Sequence, residues 1–156
     1  MSDGSIVVSV DHNPWLDAAI PYAVTLDWTS GADGGVSQPI AATLTAQNAA
    51  TGNPIYPKPN VIQGKFRSCE TIPGALGVPA TNPPTGAYTI KVQDKYGDDL
   101  LNGNGAAQSV TLPNIIAISG TQLIVNSELT LVISGAGNAK QGRAILTFED
   151  AGYAKL

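Results

Sequence analysis

The fold class predicted is all-β: an antiparallel β-sandwich, jelly-roll or immunoglobulin-like, of about ten short strands with long Pro-rich loops. Three observations predict it. Runs rich in Val, Ile, Thr and Tyr recur every ~10 to 20 residues and are closed by Gly, Pro or Asn. The 156 residues include 17 Gly and 11 Pro but only 13% charged side chains, whereas helical surfaces are built from Lys, Glu and Arg. No helical apolar periodicity extends beyond about two turns, the best candidate being a short turn around "DDLLNG".

The segments follow in order. Ser5 to Val10, "SIVVSV", is a first strand. In "YAVTLDW", Tyr22, Val24, Leu26 and Trp28 alternate with Ala23, Thr25 and Asp27, the period of a strand with one buried face, so Trp28 is expected in the core. "IAATLTAQN" from Ile40 reads as a third strand, and Val61 to Cys69 as a fourth in which Gly64 marks a bulge or bend. The Pro-rich segments Thr51 to Asn60 and Thr71 to Gly86 are expected to be neither helix nor central strand, because proline lacks the ladder donor. They read as loops or arms of a single domain spanning 1–156.

Beyond Ala87 the pattern sharpens. "AYTIKVQD" is expected to turn Tyr88, Ile90 and Val92 inward and Thr89, Lys91 and Gln93 outward. "QSVTLP", "IIAISG", "TQLIVN", "ELTLVISG" and "RAILTFED" follow as strands. Glu128 to Ser134 and Arg143 to Phe148 flank the Gly-rich stretch Gly135 to Gly142, and a hairpin is the expected arrangement.

Composition narrows the function. A net charge of -4 with 8 scattered Lys and Arg disfavours nucleic acid as a partner. No run of ~18 apolar residues is present to span a membrane. The start "MSDGSIVVSV" has no basic region leading into an apolar run, so a product that stays in the cytoplasm is expected. Cys69 is the only cysteine, which removes an internal disulfide and a Cys-based zinc site, and it is expected to be a small buried hydrophobe. His12 is the only histidine, so two-His metal sites are excluded and a Ser-His-Asp arrangement would hang on one N-terminal residue.

The acidic cluster Asp94, Asp98 and Asp99, with Asn102 and Asn104 nearby, has the oxygens a calcium ion wants, but not the alternate spacing or the twelfth-position Glu of an EF-hand loop. A turn is expected instead, with Asp94 capping backbone amides and Gly97 at positive φ. "GAGNAK", Gly135 to Lys140, lacks the helix that phosphate-binding loops require; its glycines are read as left-handed turn residues, with Lys140 and Arg143 keeping a sheet end soluble. No catalytic, cofactor-binding or metal residue is assigned. Candidate partner contacts are Trp15, flanked by prolines, and Ile55, Tyr56, Leu76 and Val78 in the Pro-rich arms.

From Gly86 to Phe148 the chain resembles a group of small tailed-bacteriophage virion proteins. The likeness is carried by Tyr88, Asp94, Gly97, Asp99, Leu100, Gly103, Gly105, Asn138, Gly142 and the strand Arg143 to Phe148. It implies a non-enzymatic structural protein of the virion: a capsid decoration or cement protein, or a head-tail or tail component. The expected partners are the major capsid protein or another virion protein, with assembly in the host cytoplasm and a homo-oligomer, a trimer being one option. The alternative is a carbohydrate- or receptor-binding module of a phage tail, with Trp15, Trp28 and Tyr96 as sugar-stacking faces.

Overall fold

The computed structural model describes residues 4–10, 22–40, 61–74, 81–118 and 123–149. Nine strands and no helix occur among them: β1 (Ser5–Val10), β2 (Tyr22–Thr29), β3 (Val36–Pro39), β4 (Val61–Pro73), β5 (Thr89–Gln93), β6 (Asn114–Ala117), β7 (Leu123–Glu128), β8 (Thr130–Ser134) and β9 (Gln141–Glu149). They form two antiparallel sheets. One runs β1-β2-β9-β4, with β6 and β7 sharing the far edge of β4; the other runs β3-β8-β5.

Alternation dictates what each sheet buries. In β9, Gly142, Ala144, Leu146 and Phe148 are buried while the residues between them are half-buried. Val24, Leu26 and Trp28 do the same in β2, and Tyr88, Ile90 and Val92 at β5, as the period of two requires. Leu131 and Ile133 join them from β8, and the buried side chains of both sheets make one core cluster. Phe66 stacks on Phe148 at 5.1 Å between ring centroids, and Trp28 tilts against Tyr88 at 5.6 Å. The Tyr88 hydroxyl reaches Thr71 Oγ1 at 2.6 Å, a buried hydrogen bond that ties one sheet to the other.

Several expectations are corrected. β8 and β9 are not a hairpin: β8 lies between β3 and β5 and β9 between β2 and β4, so neither has an edge left for the other. The loop between them carries the chain from one sheet to the other, with Gly135, Gly137 and Ala139 at φ 77°, 92° and 51°. Ser30, buried beneath it, donates from Oγ to Gly137 O at 2.5 Å and accepts from Lys140 N at 2.8 Å. The expected strand Glu128 to Ser134 is divided: Glu128 ends β7, Thr130 opens β8, and the buried Leu129 between them is the corner where the chain changes sheets.

β4 extends through Thr71 to Pro73, into a segment expected to be loop. Pro73 is tolerated because β6 reaches only Thr71, leaving a partner on the β9 side alone. The bulge lies at Arg67, between Phe66 and Ser68, rather than at Gly64, and it switches the inward residues from Ile62, Gly64 and Phe66 to Cys69, Thr71 and Pro73. Gly64 stays in register with Val125 at a φ of 150° that side-chain-bearing residues avoid. β3 was not expected, and "QSVTLP" is not a strand: the Ser109 hydroxyl accepts from Thr111 N and Leu112 N, both at 3.1 Å, and bends the chain. The expected strand beyond Ile40 lies outside the described residues.

Candidate functional site

The segment from Asp94 to Gln108 was the strongest candidate for chemistry, and its geometry assigns it to architecture. Alternate residues of an antiparallel strand direct N–H and C=O to the same side, so Tyr88, Ile90, Val92 and Asp94 present theirs on the β5 edge away from β8. The chain after β5 folds back along that edge. Ile90 N donates to Gly105 O at 2.9 Å, Gln108 N to Tyr88 O at 2.7 Å, Leu100 N to Val92 O at 2.8 Å and Asp94 N to Asp98 O at 3.1 Å. Val92 N donates to Asp99 Oδ1 at 3.4 Å.

The carboxylates hold this return segment in shape. Asp94 Oδ1 accepts from Tyr96 N at 2.8 Å and Asp98 N at 3.0 Å. Asp99 accepts from Leu101 N at 3.1 Å through one oxygen and Gly103 N at 3.0 Å through the other. Gly97, Asn102 and Gly103 take φ values of 88°, 51° and 79°. Gly105 lies so close to the strand that a Cβ there would be 1.9 Å from Ile90 O. The "DDLLNG" stretch forms successive turns, with Asn102 N bonded to Asp99 O and Asn104 N to Leu101 O, both at 3.0 Å. Asp94 Oδ1 and both Asp99 oxygens thus accept from backbone amides, the turn that the residue types predict.

A groove of about 290 Å³ crosses the β1, β2 and β9 strands, lined by Val7, Asp27, Trp28, Thr29, Gln141, Gly142 and Arg143. Asp27 and Arg143 stand directly opposite each other in the β2-β9 register. Arg143 Nε and Nη2 donate to the two Asp27 oxygens at 2.6 and 2.9 Å, and this pairing holds the guanidinium above its ordinary pKa. Arg143 is therefore neutralised by a cross-strand partner, rather than serving only to keep a sheet end soluble.

Cys69 is buried, as its residue type suggests, and burial with Asp99 and Glu70 nearby pushes its thiol up to about 12. A thiol so shifted is not a nucleophile at neutral pH. Trp28 is 1% exposed and cannot offer a stacking face; its Nε1 has no hydrogen-bond partner among the described residues, and its ring lies against Gly142, where a Cβ would be 2.2 Å from Cζ2. Tyr96 is 78% exposed, with Lys95 Nζ 5.0 Å from its ring centroid.

The candidate contacts Trp15, Ile55, Tyr56, Leu76 and Val78, and also His12, lie outside the described residues. Among the described residues no group of three His, Cys, Asp or Glu side chains is gathered to hold a metal ion, and no helix is long and apolar enough to cross a membrane. Compared with protein-family models, with curated proteins and with solved structures, the chain matches none. Sequence reasoning missed the edge-covering role of Asp94 to Gln108. The Asp and Gly residues directly after a strand signal a turn, but not that the chain returns along that strand's own edge.

Proposed function

We propose that this protein is a non-enzymatic structural component of a tailed-phage virion, most specifically a capsid decoration or cement protein that acts through its surfaces. The observation that carries the reading is the role of the residues bearing the likeness. Tyr88, Asp94, Asp99, Leu100 and Gly105 build one unit, β5 with its return segment, in which Asp94 Oδ1 and both Asp99 oxygens accept from the protein's own backbone. A pattern of that kind encodes a scaffold rather than a reaction. The two sheets and their common core support a β-sandwich, jelly-roll or immunoglobulin-like, as that scaffold. The partners in this reading are the major capsid protein or another virion protein, and further copies of the chain.

The test is the copy number of the protein in purified particles, measured by quantitative mass spectrometry. A stoichiometric ratio to the capsid protein supports the reading; absence from the particle refutes it. A second reading, a carbohydrate- or receptor-binding tail module, is favoured by the exposure of Tyr96 and weakened by the burial of Trp28. Glycan-array binding that disappears in Tyr96→Ala would select it over the first.

A further inference from the structure

We infer that β1 is a docking edge for a second copy of this chain, the two β1 strands pairing antiparallel across a two-fold axis at Val7, so that one sheet continues through both copies. The inference deepens the surface-acting reading above by naming the partner and the strand.

The edges of the two sheets are treated differently. β5 is covered by the return segment. β3 is four residues long and ends at Pro39, with Gln38 Nε2 bonded to Gly4 O at 2.7 Å. The far edge of β4 is divided between β6 and β7, carries the exposed Glu128, and is tied at Ser127 Oγ to Lys95 N at 3.2 Å. Short length, proline, interruption and charge are the usual devices that keep a sheet edge from pairing. β1 has none of them. It is six residues of "SIVVSV" with no charge, no proline and no register shift, and among the described residues its single strand partner is β2. Val7 is 69% exposed.

The occupant is specified by the sequence of the strand. Around Val7 the run Ser5-Ile6-Val7-Val8-Ser9 reads nearly the same in both directions. A two-fold axis at Val7 sets Val7 opposite Val7, Ser5 opposite Ser9 and Ile6 opposite Val8. Residues directly opposite in a sheet share a face, and this register keeps faces matched: exposed Ser5, Val7 and Ser9 stay on the outer face, and half-buried Ile6 and Val8 stay on the core side. Each pair joins like with like, hydroxyl to hydroxyl and β-branched to β-branched, and no like charges meet. The contact is isologous and closes at two copies. A strand pair of about 20 Å is small for a stable interface, so association in the micromolar range is expected for the isolated protein.

The experiment uses the full chain. Sedimentation equilibrium is expected to give a mass that rises twofold with concentration for the wild type, and a monomer mass throughout for Val7→Lys, which sets two ammonium groups face to face while retaining the wild-type far-UV spectrum. Register is tested by cysteines, since Cys69 is buried and unreactive. Across the axis the two Val7 Cα atoms would lie about 4.5–5.5 Å apart, within disulfide reach, whereas Ser9 would lie roughly 13 Å from its own copy. Mild oxidation should therefore cross-link Val7→Cys and leave Ser9→Cys monomeric. A wild type that stays monomeric, a trimer as the sole assembly, self-association unaltered by Val7→Lys, or equal cross-linking of the two cysteine variants would overturn the inference. Incorporation into particles is scored separately, so the virion reading and the pairing fail independently.

Discussion

The outer edges of β5 and of β1 each carry a row of backbone donors and acceptors turned away from the neighbouring strand, and among the described residues the chain deals with them in opposite ways. At β5 it spends fifteen residues, Asp94 to Gln108, on meeting Tyr88 O, Ile90 N, both Val92 groups and Asp94 N. At β1 it spends only a plain β-branched strand with serines on its outer face. The difference teaches that a polar cluster in a sequence can serve the backbone: Asp94 and Asp99 resemble a metal site in composition and act as clips. It also teaches that an unremarkable hydrophobic run is informative about partners where, among the described residues, nothing covers its edge.

The largest effect is expected where the β5 edge meets the core. Val92 is fully buried, and Val92→Asp would place an unpaired carboxylate among Ile90, Leu131 and their neighbours. A loss of roughly 4 kcal/mol or more is expected, seen as absent cooperative unfolding in a denaturant titration. Wild-type stability in that variant would show that the inward register of β5 is misassigned.

A smaller effect sharpens the comparison directly. Asp99→Ala removes the acceptor for Leu101 N, Gly103 N and Val92 N, costing about 1–2 kcal/mol by the measure of lost caps. In the Val7→Lys background, where β1 pairing is blocked, the same change should introduce new concentration-dependent association as the β5 edge opens. Sedimentation of the double variant checks this; a strictly monomeric double variant would mean that the return segment does not guard the edge.

The core beneath both edges gives a pH signature. Cys69 is raised from an ordinary value of 9.0 to about 12 in the folded protein, chiefly by burial, and Tyr88 is raised above its ordinary 10.0 for the same first reason. Below pH 9 both states keep these protons and the contribution is fully present. Between about 9 and 12 the unfolded chain releases the Cys69 proton while the folded one keeps it, so stability falls as pH rises. Denaturant midpoints should therefore decline from pH 9 upward, and less steeply in Cys69→Ala; identical slopes would contradict the assigned environment.

Much of this architecture is legible from residue order. Alternation in Val24 to Trp28, Tyr88 to Val92 and Gly142 to Phe148 gives the buried face of each strand, and the Asp and Gly spacing after Gln93 gives the turn. What period two does not contain is the identity of a strand's neighbour. β8 and β9 look like a hairpin because both alternate and a Gly-rich loop joins them, yet their edges are already taken in different sheets. The corner at Leu129 escapes for a related reason: a single buried apolar residue continues the hydrophobic run while the chain changes sheets. The bulge at Arg67 is illegible because the extra residue carries no turn signal, and Gly64, the visible irregularity nearby, holds its register. The covering of β5 depends on residues up to twenty apart meeting along one edge, as Tyr88 and Gln108 do, which no local pattern encodes.

The most direct measurement is residue-resolved hydrogen exchange on the monomeric Val7→Lys variant. The amides of Ile90 and Val92, on the covered edge, should exchange only through global unfolding, while the β1 amides that point away from β2 should exchange orders of magnitude faster. Slow exchange at both edges would mean that β1 is already covered within one chain. Fast exchange at Ile90 and Val92 would mean that the Asp94 to Gln108 segment does not seal β5, and either result would contradict the contrast on which the account rests.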